Sequence, residues 1–397
     1  MIRYREIFLA LALCFLLCGC SPAAVPTETT VPTETTVITE PPTKPPVTEP
    51  EPVLDAGLPV FVDGDSLTGG SVICQEQMYV LLEEFLDAMD NATWSGSGTE
   101  GYKLTHLGVL YEFLPDGTLL ADGNPIEMGD PLIRYQAKLW CPLEELCRIL
   151  SVSLLYDESG GQYFCTSVGS GWDWERGVNI PILMYHGVSD NTWGAAELFV
   201  RPADLEAQIA WLLENGYDLI TFEDWAHLED YDKPVMLTFD DGYRDNYEEL
   251  FPILQKYHAK ATVFVITGSV DIHDTTLSYM QVREMAQSGL VSIQSHTYTH
   301  PHLDQCDEQE LHRQMMNSKL MIARMTRYEP FVLCYPYGDR SDLSLEVTAD
   351  YFRFGLAMNG GLYTTGDEVY EIPRYYVSRY TSMAEFRAMV SGSGRES

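Results

Sequence analysis

From residue 180 to the C-terminus, short apolar runs alternate with stretches of helical period, and this alternation narrows the fold more than any other feature of the chain. It predicts strands at 180–185, 235–239, 261–265, 291–294 and 331–335, and helices at 203–215, 247–257, 279–288 and 308–326. Uninterrupted apolar runs suit strands covered on both faces. Alternation with helices joins such strands into a parallel sheet with crossover connections, open or closed into a barrel. In barrels of this kind the chemistry sits at the C-terminal ends of the strands.

Two strand ends carry chemistry. Thr238-Phe239-Asp240-Asp241-Gly242 closes the 235–239 run, and Ser295-His296-Thr297-Tyr298-Thr299-His300-Pro301 follows the 291–294 run. One carboxylate and two imidazoles, here Asp241, His296 and His300, make a facial set for a divalent cation, with positions open for water and substrate. A second carboxylate remains free to act as a base. Adjacent carboxylates resist joint ionisation unless a cation offsets them, which a metal would do. His296 and His300 have the spacing of one helical face, but Pro301 disfavours helix at His300, so a tight loop is expected. Alone, an Asp-Asp-Gly turn is an ordinary solvated turn, and a histidine pair arises by chance. Their joint occurrence points to a metal-dependent hydrolase.

Residues 178–390 resemble the polysaccharide deacetylases, the NodB-homology group of carbohydrate esterases. Thr238–Gly242 matches the TFDDG motif of that family, and Ser295–Pro301 matches its histidine motif. Tyr335-Pro336-Tyr337-Gly338 matches the element that shapes one groove wall. Ile180-Pro181-Ile182-Leu183-Met184-Tyr185-His186 resembles the opening strand of a permuted branch that includes enzymes acting on poly-N-acetylglucosamine. The resemblance implies an α/β fold, a distorted (β/α) barrel preceded here by a small α+β repeat domain. It makes Asp241, His296 and His300 the metal ligands, with zinc the expected ion. Asp240 becomes the general base and His186 the acid that protonates the departing amine. Tyr243 (through its backbone N–H), Tyr335, Pro336, Tyr337 and Gly338 become the substrate contacts. One departure stands out. The family's usual arginine just before the Tyr-Pro-x-Gly element is absent, because that stretch reads Phe331-Val332-Leu333-Cys334. Arg374, in Ile372-Pro373-Arg374, is the substitute expected to orient Asp240 through a bidentate contact.

The implied reaction is removal of N-acetyl groups from an acetylated polysaccharide, poly-N-acetylglucosamine or a peptidoglycan glycan. Two alternatives stay open: an O-acetyl esterase acting on xylan or a similar glycan, and a non-catalytic glycan-binding lipoprotein. His227, His258, His273, His302 and His312 stay outside the set. Core packing is the better reading for Trp211, Tyr217 and Trp225, while Trp193, in a polar loop, is a candidate for stacking on sugar.

The N-terminal half reads differently. Arg3 and Arg5 precede an apolar run at 7–17, too short for a comfortable membrane span. It ends in Leu17-Cys18-Gly19-Cys20, which resembles a bacterial lipobox with Cys20 as the lipidated residue. The expectation is a leader at 1–20 and an extracytoplasmic protein, lipid-anchored to the membrane; an uncleaved anchor or a plain secretory signal would export the chain equally. Residues 21–52, rich in Thr, Pro and Glu with near-repeats of Val-Pro-Thr-Glu-Thr-Thr, cannot form a core and suit an extended linker. Residues 53–168 carry a weak duplication in which the stretch from Met78 is echoed from Leu139, each reading as a strand entering a short helix. That segment resembles the small repeated domain found at the N-terminus of copper amine oxidases, and implies an accessory domain before the deacetylase domain at 178–397. Six cysteines lie beyond the leader, four of them in this half, where export would permit disulfides. With 59 acidic against 24 basic residues the net charge is -35, which excludes the counterion-releasing surface that nucleic acid requires.

Overall fold

The computed structural model describes residues 54–90, 92–167 and 177–392. The predicted leader with Cys20 and the 21–52 linker lie outside them. The described residues all belong to one contact unit, Glu51–Ser397. No helix among them is long and apolar enough to cross a membrane.

In the first half a strand–helix–strand unit occurs twice. Strand Gln77–Leu81 enters helix Leu82–Asp87 and is followed by strand Ala92–Ser97; strand Lys138–Pro142 enters helix Leu143–Ile149 and is followed by strand Ser153–Asp157. The two entering strands pair antiparallel, with Leu81 opposite Trp140. The two helices bury Leu82, Phe85 and Leu86, and Leu143, Leu146 and Cys147, in one shared core. All six described cysteines are free thiols; Cys147 and Cys165 place their sulfurs 3.9 Å apart. This half rests on helix Glu308–Thr326 through a small apolar cluster of Leu155, Phe164 and Ala323. Beside it, Arg324 Nη2 meets Asp157 Oδ1 at 2.5 Å and Lys319 Nζ meets Glu329 Oε1 at 2.7 Å.

The second half is a curled parallel sheet. In spatial order its main strands are Phe354–Leu356, Val332–Cys334, Val291–Ser295, Ala261–Val265, Pro234–Phe239, Ile182–Tyr185 and Tyr375–Tyr376. Every pairing along this path is parallel. The two edges approach one another through the chain itself: Ile372 bridges Leu356, and three residues later Tyr375 pairs with Leu183. The barrel therefore closes over a short irregular seam, and Arg374 sits in it.

Because successive side chains point to opposite faces, each strand feeds two cores. Leu183, Tyr185, Val235, Leu237, Phe239, Val263, Val265, Val291 and Ile293 pack outward beneath the helices. Ile182, Met236, Phe264, Val332, Cys334, Phe354, Leu356 and Ile372 form the barrel interior. The same parity continued past each strand end aims His186, Asp240 and His296 inward at the mouth. Helix Glu308–Thr326 and strand Ala261–Val265 match the sequence expectation residue for residue. The 247–257 helix begins instead with a π turn at Asn246–Leu250, and helices Asp342–Tyr351 and Met383–Val390 had no counterpart in the sequence reading.

Candidate active site

Asp240 directly follows strand Pro234–Phe239, faces inward and is only 2% exposed. Arg374, with no exposed surface, reaches it from the seam: Nη1 donates to Oδ1 at 2.7 Å and Nη2 to Oδ2 at 2.8 Å. The guanidinium is fixed in turn by the Thr238 hydroxyl at 3.0 Å, the Ala357 carbonyl at 3.2 Å and the Cys334 sulfur at 3.0 Å. Burial alone would raise the Asp240 pKa; the charge and hydrogen bonds of Arg374, followed by His296 and His186, outweigh it and hold the carboxyl below its ordinary value.

Asp241 breaks away from the strand with φ 73°, and Gly242 follows at φ 67° with Val265 where a side chain would stand. This left-handed pair, which Gly accommodates and Asp tolerates, swings the second carboxylate out of line with the first. Asp241 Oδ1 comes to 3.5 Å from His296 Nε2 and 3.6 Å from His300 Nε2, and the two nitrogens lie 3.1 Å apart. The histidine loop also turns through positive φ, at Thr297 (65°) and His300 (61°). Gln314 braces it by accepting the N–H groups of Tyr298 and Thr299. His296 Nδ1 donates to the Cys334 carbonyl at 2.9 Å, which leaves Nε2 as its ligating atom. Burial opposes a charge on both rings. Contacts with Cys334 and Asp241 nevertheless hold the His296 pKa well above its ordinary value, while burial and the neighbouring His296 push His300 down to about 4.

These three donors fit a divalent cation: one carboxylate oxygen and two imidazole nitrogens all lie within 4.8 Å of one another. Asp240, His296 and Cys334 form another close set, but it suits a metal poorly. Both Asp240 oxygens already accept from Arg374, and burial keeps the Cys334 thiol protonated by raising its pKa.

His186 lies at the mouth, on the strand beside that of Asp240. Its ring meets Tyr376 edge-on at 6.0 Å, and its Nδ1 is buried without a partner. Burial lowers its pKa, although Asp240 and Asp241 pull the other way. The next residue must be glycine, because a Cβ on Gly187 would lie 2.4 Å from the Phe199 ring. Asn246 donates to the His186 carbonyl at 2.9 Å and Asp245 accepts the Val188 N–H at 3.0 Å, anchoring this turn to the following helix.

Aromatic side chains flank the mouth. Tyr243, its phenol pKa raised by burial and then by Asp241, packs against Trp193 at 4.6 Å, and Trp193 is 47% exposed. Tyr337, 54% exposed, meets His300 edge-on at 4.6 Å and stacks on His302 at 4.2 Å.

Asp240, Asp241, His186, His296, His300 and Arg374, predicted separately, are thus brought together. Tyr243, Tyr337 and Gly338 line the approach. Tyr335 and Pro336 do not. Both are buried, Tyr335 in a cluster with Leu303, Met315 and Val347, because its parity on the strand points away from the barrel interior. They shape the wall only by packing behind it. Sequence reasoning missed Cys334 as a partner of Arg374, and Asp245 and Asn246 as supports of His186. The parity of the 331–335 run could have placed Cys334 inward, but nothing local marks Asp245.

The model of the polysaccharide deacetylase family matches residues 228–352. YxkH of Bacillus subtilis, named as a polysaccharide deacetylase, is 33% identical over 222 residues, spanning 54% of this chain and 77% of its own length. A poly-beta-1,6-N-acetyl-D-glucosamine N-deacetylase of Staphylococcus aureus is 26% identical over 196 residues, or 45% of this chain and 68% of that one. The deacetylase PplD of Streptococcus pyogenes, solved in complex with acetate, aligns at 29% identity with a TM-score of 0.51, covering 54% of this chain and 99% of that one. With its barrel, its paired aspartates and its histidine loop, the chain belongs to the polysaccharide deacetylase family.

Proposed function

We propose that the protein is a metal-dependent N-deacetylase acting on an N-acetylglucosamine polymer of the cell envelope or extracellular matrix. One observation carries the reading. Three metal-competent donors stand beside a carboxylate that is ionised, fully buried and held by an arginine, with an unpartnered imidazole on the neighbouring strand. The name of the staphylococcal relative supports the polymer. The anchor at Cys20 and an extracytoplasmic location belong to the same proposal and rest on the leader sequence alone.

Asp241, His296 and His300 would hold the ion, zinc in the first instance. When bound, such an ion polarises the acetamido carbonyl and makes a water acidic enough to deprotonate near neutral pH. Asp240 would serve as the base for the attacking water, since its charge is preserved by Arg374 and both its oxygens are fixed in direction. The backbone N–H of Tyr243 is assigned to the oxygen that gains negative charge. His186 donates to the departing amine. Its lowered pKa makes its protonated form the stronger acid. Trp193 and Tyr337 offer ring faces to the sugars on either side. The ordered Arg374–Asp240 pair also speaks against a decayed, purely binding protein. Acetate release from N-acetylglucosamine oligomers and from acetylated xylan, with and without chelator, tests the proposal. Chelator-sensitive release from the first alone is expected; release from neither would end the enzyme reading, and release from xylan alone would make the protein an esterase.

A further inference from the structure

Tyr337 stands on the turn that follows strand Val332–Cys334, in a conformation that a bulky side chain rarely adopts. Its φ is 60°, in the left-handed region, and Gly338 follows at 73°. A tyrosine there is strained, and it persists only where its surroundings fix the backbone. The Gly338 N–H donates to the Tyr335 carbonyl and the Asp339 N–H to the Pro336 carbonyl, both at 3.0 Å. Arg340 donates through Nη1 to the Gly338 carbonyl at 2.8 Å and through Nε to Glu371 Oε1 at 2.7 Å. The strained turn brings the Tyr337 ring edge-on to His300 at 4.6 Å.

These bonds fix the backbone of the turn but not the side chain. Tyr337 is more than half exposed, and an exposed ring changes rotamer unless something restrains it. His302 supplies the restraint. Its ring centroid lies 4.2 Å from that of Tyr337, with the two planes within 15° of parallel. His302 is itself held from two sides. Its Nδ1 donates to Asp339 Oδ2 at 2.6 Å, and its carbonyl accepts the Gln305 N–H at 3.1 Å. Asp339 comes two residues after Tyr337, so one turn presents both the ring and the carboxylate that orients its support. The contacts run from Asp339 to His302 to Tyr337 and end on His300, a metal-competent donor.

None of the steps proposed for catalysis involves His302 or Asp339. With side chains 48% and 36% exposed, their ion pair adds little to stability in water. What the pair does fix is direction. A ring that is free to turn must be ordered when a sugar binds, whereas a ring already held loses no further freedom.

We propose that His302 and Asp339 are positioning residues for glycan binding, which hold the Tyr337 ring beside His300 so that a sugar meets an aromatic surface already in place. The choice of N-acetylglucosamine as that sugar rests on the deacetylase reading. Both residues act through Tyr337, so their loss weakens binding and spares the chemical step.

Acetate release from an N-acetylglucosamine tetramer by the whole chain, in saturating zinc, gives KM and kcat for each variant. His302→Ala is expected to raise KM about ten-fold, or about 1.4 kcal/mol, with kcat within about two-fold of the unsubstituted chain. His302→Phe, which keeps a ring and loses the bond to Asp339, should restore part of the difference, and Asp339→Ala should raise KM in the same direction. Adding His302→Ala to Tyr337→Ala should change nothing further, whereas independent effects would multiply. The zinc concentration for half-maximal activity should be the same with and without His302→Ala. Unchanged KM in His302→Ala, multiplied losses in the double variant, or a raised zinc requirement would each overturn the positioning role. So would a second zinc in calorimetric titration that disappears in His302→Ala, since His302, Asp304 and Asp339 lie close enough to share an ion. Tetramer binding by chains carrying Asp240→Asn separates the positioning role from the reaction. If the unsubstituted chain releases no acetate, the deacetylase reading falls. Ten-fold weaker binding on adding His302→Ala to Asp240→Asn would still sustain the positioning role, and equal or undetectable binding would overturn it. Normal release with unchanged KM would do the reverse.

Discussion

Replacing Arg374 by alanine tests the weakest joint in the sequence argument, since the family's usual arginine is missing and this one stands in for it from the far end of the domain. The side chain is fully buried and makes five polar contacts: two with Asp240, and one each with Thr238, Ala357 and Cys334. Breaking a buried ion pair from one side leaves an uncompensated charge, at a cost of about 3–5 kcal/mol. At about 2–4 °C per kcal/mol for a domain of this size, the melting temperature should fall by about 6–20 °C. The sign of the pH effect follows from the same contacts. With Arg374 in place the folded pKa of Asp240 lies below its unfolded value, so the pair's stabilisation is present above that unfolded value and fades as pH falls through the folded one. Without Arg374, burial dominates and the folded pKa rises above the unfolded value. The stability gap between the two proteins should therefore narrow as the solution is acidified. Catalysis responds in parallel. A base that protonates earlier moves the acid limb of the kcat profile to higher pH, and kcat at neutral pH should drop by about 10²–10⁴. Thermal melts across pH and acetate release across pH measure both. A variant that melts lower yet keeps the acid limb of the native enzyme would refute the claim that Arg374 preserves the charge of Asp240.

Three further outcomes are expected. Chelation should abolish acetate release and added zinc restore it, and His300→Ala should raise the metal concentration needed for half-maximal activity by about 100-fold, in keeping with loss of one of three ligands; full activity in metal-free buffer would refute the assignment. Asp245 is buried, and burial, reinforced by Glu248 and Glu249, raises its pKa to about 6. Its contribution to stability is thus complete below the unfolded value near 4 and lost as pH rises through about 6, so Asp245→Asn should stabilise the fold by about 1–3 kcal/mol at pH 8 and by nothing at pH 4 in denaturant melts. Cys334→Ser, which keeps a donor and acceptor beside Arg374 and Asp240, should retain most of kcat, whereas Cys334→Val should lower it about ten-fold with KM unchanged, and equal rates for the two would remove any positioning role.

Much of the barrel was legible because parallel strands covered on both faces are uninterrupted apolar runs, and the long helix Glu308–Thr326 declares itself through an Asp307 cap and a sustained apolar stripe. Strands Phe354–Leu356 and Tyr375–Tyr376 were not, since each is too short to carry a period and exists only because a neighbouring strand supplies its partners. Tyr335 shows the limit from the other side. Its motif named it a groove residue, but the direction of a side chain on a strand depends on which face the fold turns inward.

The sequence alone determined which residues could do chemistry at all: an aspartate pair, a spaced histidine pair and an early histidine, each set at the end of a run that must be a buried strand, and a late arginine outside any such run. Those identities are local, written in residue type and spacing. What the tertiary structure decided is how they divide the work. Only barrel closure brings Arg374 from the seam onto Asp240, 134 residues away, and only the left-handed turn at Asp241 separates base from ligand. Contacts of that range depend on register and closure, which are properties of the whole sheet and of no single stretch of chain.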